Sequence, residues 1–411
     1  MILAPPRVGT TFLTRDTAWA GGAISPYHDS VSKVIIRRCN RCVMDATDEL
    51  IEFDIFGVCN HCRTFDARMR GTWFPDAEGA RRLGVILDGI RQQGYDKPYD
   101  CALGLSGGVD SCYVALLAAE WGLRPLVVHI DTGWNSEISV SNVERLVKHC
   151  GFELHTCVVD WEEMRDLQLA YLRAGVPNQD VPQDHAIFAG LYRFCVRNGV
   201  KTVLSGGNVA TEGIFPESWH ANAMDSVNLR AIHRKHGSRP LRHFPLISAW
   251  ELYVVFPGLR RLRTIRPLNY LPYDRDQAID RLQAACGWKP YGRKHGESKF
   301  TRLFQNHYLP TRFGFDKRKP HLSSMVVSDL ITRDRALGLL QEPLYDPGEL
   351  DQDIDYLCNK LGIARDDYLA FIAGPKRHHS EYPTWDRSYQ MLKRAQRLLR
   401  RVSGREYRVY S

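Results

Sequence analysis

The spacing of apolar positions changes period along the chain and so separates its elements. Over Asp76–Gln93, Leu83, Ile86, Leu87 and Ile90 recur at helical spacing, which predicts an amphipathic helix. Beyond it, short apolar runs alternate with helix-period stretches. Strands are predicted at Cys101–Leu105, Pro125–Ile130, Glu153–Val159 and Val200–Leu204. Helices are predicted at Asp110–Trp121, Glu137–Cys150, Trp161–Leu172 and Asp184–Arg197. Strands separated by helices of this length build βαβ units and a parallel sheet, with sites at the carboxyl ends of its strands. After about residue 245 the strand signals fade. Asp276–Cys286, Ser298–Tyr308, Arg333–Gln341, Leu350–Leu361, Arg365–Ile372 and Ser388–Val402 read as helices, and Thr332 is the N-cap of the third. The expected organisation is an extension over 1–33, a four-cysteine module over 34–66, an α/β domain over 67–245 and a mainly helical substrate- or partner-binding region over 246–411.

With 411 residues, 44% hydrophobic and 25% charged, the chain can bury a large core, and long disorder or a fibrous repeat is excluded. No run approaches the ~20 apolar residues of a membrane helix. Leu246–Leu259 comes nearest and is interrupted by Glu251 and Pro257. The first thirty residues lack the pattern of a secretory signal, so a cytoplasmic chain without a membrane partner is expected. The net charge of +8 is unevenly placed. Residues 387–408 hold eight Lys/Arg against one acid, which reads as a solvated helix face. Residues 230–319 hold twenty against six, which suggests a polyanionic ligand, either nucleic acid or a phosphate-bearing small molecule.

Four of the eleven cysteines are grouped. Cys39-Asn40-Arg41-Cys42 and Cys59-Asn60-His61-Cys62 form two C-x-x-C pairs, the spacing of a zinc ribbon with four thiolate ligands. His61 reads as a bystander because four thiolates already complete the shell. The remaining cysteines are scattered singly, which fits buried thiols better than a disulfide framework.

The first strand runs directly into Ser106-Gly107-Gly108-Val109-Asp110-Ser111, where a helix begins. Two glycines permit a tight turn, two hydroxyls add donors, and the helix N-terminus contributes roughly half a positive charge. This is a phosphate cradle. It lacks the Walker lysine that clamps β and γ phosphates, so γ-phosphoryl transfer is not its chemistry.

S-G-G-x-D-S after a first strand resembles the signature of PP-loop ATP pyrophosphatases. That resemblance implies an ATP pyrophosphatase fold, adenine nucleotide alpha-hydrolase-like, which adenylates a substrate oxygen, releases pyrophosphate and lets a nucleophile displace AMP. His129-Ile130-Asp131-Thr132-Gly133-Trp134 is similar to the family's second strand end, and Leu204-Ser205-Gly206-Gly207-Asn208 with Ala210-Thr211-Glu212-Gly213 to the segment that closes over the nucleotide. Leu105, Ser106, Gly107, Gly108, Asp110, Ser111, His129, Asp131, Gly206 and Asn208 are thereby the expected ATP-binding residues. Taken alone, Asp131 also reads as a strand-end turn residue, and Asp110 as either a Mg²⁺ ligand or a helix cap.

The paired C-x-x-C motifs, Lys294-His295-Gly296-Glu297-Ser298-Lys299-Phe300-Thr301-Arg302, Tyr308-Leu309-Pro310 and Lys317-Arg318-Lys319-Pro320-His321-Leu322-Ser323-Ser324 resemble one branch, the WbpG-like N-acetyl sugar amidotransferases of O-antigen and related surface-sugar synthesis. The resemblance spans about residues 34–375. It implies conversion of an acetamido group to an acetamidino group on a UDP-linked diacetamido sugar of uronate type, with ATP, Mg²⁺ and structural Zn²⁺. Ammonia would come from a HisH/HisF-like glutaminase pair, since the chain has no G-x-C-x-G-like glutaminase nucleophile. Asp110, Glu212, Lys294 and Lys299 are candidate catalytic residues, with Glu212 read as a general base, a magnesium ligand or a surface acid. Arg302, Lys317, Arg318 and His321 are candidate substrate-binding residues. The competing reading is a PP-loop tRNA-modifying enzyme, thiolase-like, with Cys101 or Cys112 as reactive thiols; Tyr270, Tyr273, Trp288 and Tyr291 can stack on bases or equally on a uracil ring.

Overall fold

A computed structural model describes residues 36–291 and 296–385. The chain divides into Met1–Ile36 and Arg37–Ser411, and every element below belongs to the second unit. The expected extension over 1–33, Lys294 and the helix Ser388–Val402 lie outside the described residues.

The second cysteine pair opens a short helix α1 (Asn60–Thr64), followed by α2 (Ala77–Gly94), β1 (Cys101–Gly104), α3 (Val109–Glu120), β2 (Pro125–Asp131), α4 (Glu137–Cys150), β3 (Leu154–Val158), α5 (Trp161–Ala174), α6 (Val181–Arg197), β4 (Thr202–Leu204), α7 (Val209–Glu212), α8 (Ser226–His236) and β5 (Arg263–Ile265). The remainder is helical: α9 (Arg275–Cys286), α10 (Lys299–Leu303), α11 (Leu309–Phe313), α12 (Arg318–Val327), α13 (Arg333–Leu339), α14 (Pro347–Leu361) and α15 (Arg365–Ala373). Local signals explain several starts. Asp76, Ser136, Asp160 and Thr332 each accept a backbone N–H from the third residue on, as N-caps do.

The sheet has five parallel strands in the order β3-β2-β1-β4-β5. Alternate side chains enter opposite layers. Ala102, Leu126, Val128 and Val203 pack with α5, α6 and α8, while Leu103, Val127 and Leu204 pack with α2, α3, α4 and α9. The α/β parallel-sheet class expected from the pattern is therefore present. The strand order reverses at β1, so the crevice between the carboxyl ends of β1 and β4 is where such a sheet takes a ligand.

Besides the helices α8 and α12, which the apolar pattern did not reveal, two features depart from the sequence expectation. β5 lies beyond residue 245, where strand signals had faded, because Arg263–Ile265 is an edge strand of only three residues. Its pairing comes from β4, with Thr202 opposite Arg263. Second, the cysteine module shares a core with the C-terminal helices: Cys39, Met44 and Phe65 pack with Trp219, Phe300, Leu303, Phe315 and Val327. No helix among the described residues is long and apolar enough to cross a membrane. Leu246–Leu259 is helical only over Glu251–Leu259, with Pro257 inside.

Candidate active site and metal site

The loop between β1 and α3 is shaped by its own side chains. Ser106 Oγ accepts the Gly108 N–H at 3.2 Å and lies 3.1 Å from Ser111 Oγ, which donates to the Gly108 carbonyl. Gly107 has φ +82°, and a Cβ there would meet the Ser139 carbonyl at 2.6 Å, so only glycine fits. Gly206, after β4, backs onto the α3 N-terminus, where a Cβ would lie 2.7 Å from the Ser111 nitrogen. The two loops expected to hold the nucleotide are thus brought into contact at the reversal of the sheet.

Around them the structure sorts the expected residues. His129 Nδ1 lies 2.7 Å from the Leu105 carbonyl, and Asn135 Nδ2 bridges His129 Nε2 and Asp131 Oδ1. Asp131 also accepts the Gly133 N–H at 2.8 Å, so it closes its own strand-end turn and His129 ties β2 to the loop. Asn208 caps α7 by accepting from the Thr211 N–H and hydroxyl. Asp110, in the first turn of α3, accepts the Tyr273 hydroxyl. Burial, and then the Asp110 charge, hold that phenol protonated well above its ordinary range. Glu212, exposed at the end of α7, approaches the same crevice: a Cβ on Gly207 would lie 3.4 Å from its Oε2 and 3.7 Å from Arg266 Nε. Glu297 comes to the other side, 3.0 Å from where a Cβ of Gly108 would stand. Asp110, Glu212 and Glu297 approach the crevice from three sides, but among the described residues only the four cysteines bring ligand atoms together closely enough to hold a metal as they stand.

The sequence missed Arg266 and Glu297 as crevice residues. Arg266 follows β5, the strand the pattern did not reveal, and Glu297 was only part of a longer motif. Backbone pairing places Glu297: the Ser136 N–H donates to its carbonyl at 2.8 Å and Lys299 N–H to that of Trp134 at 3.0 Å.

Three cationic candidates act elsewhere. Arg302 binds Asp353 in α14, at 2.7 Å through Nε and 2.5 Å through Nη2. Lys299 places its ammonium 4.2 Å from the centre of the Tyr356 ring. Arg318 gives Nε and Nη2 to Asp316 and its remaining donors to the carbonyls of Leu339, Leu340 and Glu342. All five of its N–H groups are used, so it closes the end of α13 instead of meeting a phosphate. His321 lies 2.5 Å from the Thr211 carbonyl, joining α12 to α7. Lys317 lies next to His220, with the charges of Asp180, Asp184 and Glu212 near enough to act on it.

The metal site is complete in its ligands. Cys39, Cys42, Cys59 and Cys62 are fully buried and their sulfurs lie within 4.8 Å of one another. The separations of 3.6, 3.7 and 3.9 Å match the ~3.8 Å edge of a tetrahedron with Zn–S of about 2.3 Å. Backbone N–H groups of Arg41, Cys42 and Cys59 point at Cys39 Sγ, which favours thiolate. His61 is turned away to Asp48, at 2.6 Å. Arg333 donates to the Cys39 and Cys42 carbonyls and Lys319 to Asp45, so α12 and α13 hold the module in place.

Residues 297–396 match the family described as LPS biosynthesis protein WbpG-like, C-terminal domain. This part of the chain is similar to that family. The resemblance drawn from the motifs is therefore found in the segment that begins at Glu297, beside the loop. No curated protein matches the chain. Among solved structures, an NH3-dependent NAD synthetase from Campylobacter jejuni is 13% identical, covering 73% of this chain and 98% of that one, with a TM-score of 0.32. An NMN synthetase from Francisella tularensis is 14% identical over 66% of this chain and all of that one, with a TM-score of 0.33. Likenesses this slight carry no argument here; the sheet, the loop and the WbpG-like segment do.

Proposed function

We propose that the chain is an ATP-dependent, AMP-forming amidotransferase acting on a nucleotide-linked N-acetyl sugar in surface-glycan synthesis. The observation that carries this reading is the Gly-rich loop at the reversal of the parallel sheet, without a Walker lysine, set beside a WbpG-like segment. An amide oxygen is a poor leaving group; adenylation converts it to AMP, and ammonia then takes its place. The loop would hold the phosphates through backbone N–H groups and the α3 N-terminus. Asp110, at the mouth of the loop, would hold Mg²⁺, which supplies charge neutralisation on the phosphates when bound. The substrate is a UDP-linked diacetamido sugar, and ammonia is supplied by a HisH/HisF-like glutaminase pair in the cytoplasm.

The tRNA-thiolase reading loses its support. Cys101 and Cys112 are fully buried, and burial pushes both thiols well above their ordinary range. Tyr273, Trp288 and Tyr291 are packed against α3, with the Tyr291 oxygen accepting the Val109 N–H, and do not form a stacking surface.

The test is incubation with ATP, ammonium and UDP-diacetamido sugars. Mass spectrometry should find the ~1 Da loss of O→NH exchange together with AMP and pyrophosphate. ADP and phosphate as the only nucleotide products would overturn the reading. Glutamine should serve as nitrogen source only when a glutaminase partner is added.

A further inference from the structure

Lys317 immediately precedes α12 and is half-buried beside the crevice. Its Nζ donates to His220 Nε2. His220 Nδ1 lies 2.9 Å from the Pro216 carbonyl, so Nδ1 carries the proton and Nε2 is left as an acceptor. Phe215 stacks on the imidazole with ring centres 3.6 Å apart, which fixes its plane. The carboxylates whose charge acts on Lys317 come from three places: Asp180 ahead of α6, Asp184 in its first turn, and Glu212 at the end of α7. Neighbouring charges on α12 are engaged elsewhere, Arg318 with Asp316 and Lys319 with Asp45, and His321 meets the Thr211 carbonyl.

Burial pushes the Lys317 ammonium down to about 8, against the opposing pull of Asp180, Asp184 and Glu212. Burial and the Lys317 charge drive His220 well below its ordinary value, so the imidazole is neutral. A lysine that sheds its proton near neutrality, held by a neutral histidine, is suited to general-base work.

We propose that Lys317, oriented by His220, accepts the proton from the ammonia that displaces AMP; this rests on the amidotransferase reading. In the step, the ammonia lone pair forms the new C–N bond at the adenylated acetamido carbon. One proton of the resulting ammonium passes to the lone pair of neutral Lys317 Nζ. The C–O bond to AMP breaks, its electron pair leaves with AMP, and the product is the acetamidinium. Lys317 then releases its proton to solvent. His220 is a positioning residue: by accepting one Lys317 N–H it directs the lone pair. Asp180, Asp184 and Glu212 supply the negative field that favours the transient cation.

Adenylation alone can be read as sugar-dependent exchange of labelled pyrophosphate into ATP without ammonia. Absence of that exchange in the wild-type chain overturns the amidotransferase reading and the Lys317 role with it. With exchange present, Lys317→Met and Lys317→Arg should keep it within about threefold while ammonia-dependent product falls about 100-fold or more. Hydroxylamine, already neutral around pH 7 to 9, separates the enzyme's titration from that of ammonia. With it, wild-type turnover should rise through about 8, and Lys317→Arg should be flat. His220→Gln should move that inflection while leaving exchange intact. Parallel loss of exchange and product in the Lys317 variants, or a wild-type profile with no rise near 8, overturns the proposal.

Discussion

The hydroxyl of Tyr273 donates to the carboxylate of Asp110, linking the segment that leads into α9 to the first turn of α3. The contact fixes an acid at the mouth of the loop, and Tyr273 is itself 3% exposed, so the pair is shielded from competing water. Tyr273→Phe should remove this hydrogen bond from Asp110, raising KM for ATP about 3- to 10-fold and lowering stability by about 1 kcal/mol. Asp110→Ala and Ser106→Ala should depress turnover about 10- to 1000-fold, because they act on charge at the phosphates. Steady-state kinetics with AMP detection checks all three.

Metal analysis of freshly purified chain should find one zinc per chain. Cys39→Ser, Cys42→Ser, Cys59→Ser or Cys62→Ser should lower the melting temperature or the soluble yield, since a closed thiolate site contributes folding free energy. Strong chelators should do the same. Because the module shares its core with α10–α12, loss of metal should also weaken the C-terminal helices, visible as faster amide exchange there. Less than half an equivalent of zinc would contradict the assignment.

Arg318 tests whether a motif arginine serves substrate or structure. Arg318→Ala leaves Asp316 and the α13 carbonyls without their donor, which should cost about 2 kcal/mol by denaturant titration. KM for the nucleotide sugar should stay unchanged in the folded variant. A raised KM at unchanged stability would reverse the assignment.

Stability should depend on pH through His185. The residue is fully buried, its Nδ1 lies 2.8 Å from the Ala223 carbonyl, and its Nε2 accepts the Ile247 N–H at 2.9 Å. Burial pushes it down to about 4, with the charges of Arg193 and Arg230 acting the same way and the Ala223 bond opposing. Between about 4 and 6.5 the unfolded chain binds more protons than the folded one, so stability is full above 6.5 and falls as pH drops toward 4. The loss is of order 3 kcal/mol across that window. Urea unfolding at several pH values checks it, and His185→Gln should flatten the dependence.

The sequence by itself determined the parts whose chemistry is local. Two C-x-x-C pairs specify a thiolate site because each pair spans one tight turn, and the S-G-G-V-D-S loop reads correctly because glycine is required where φ is +82° at Gly107. Four strands and most helices were legible because their apolar period is set by burial on one or two faces. Tertiary structure alone decided the rest. The surplus charge of residues 230–319 suggested a polyanion, yet Arg302, Lys319 and Arg281 are matched by Asp353, Asp45 and Glu120, acids far away in the chain. β5 is too short to announce itself, and exists because β4 offers an open edge. Lys317 and Arg318 are adjacent and alike in sequence, but Arg318 points to the end of α13 and Lys317 to His220, where the charge of three carboxylates acts on it. Which of two neighbouring cations faces the site depends on side-chain direction and on what long-range packing sets opposite it, and neither is encoded in local spacing.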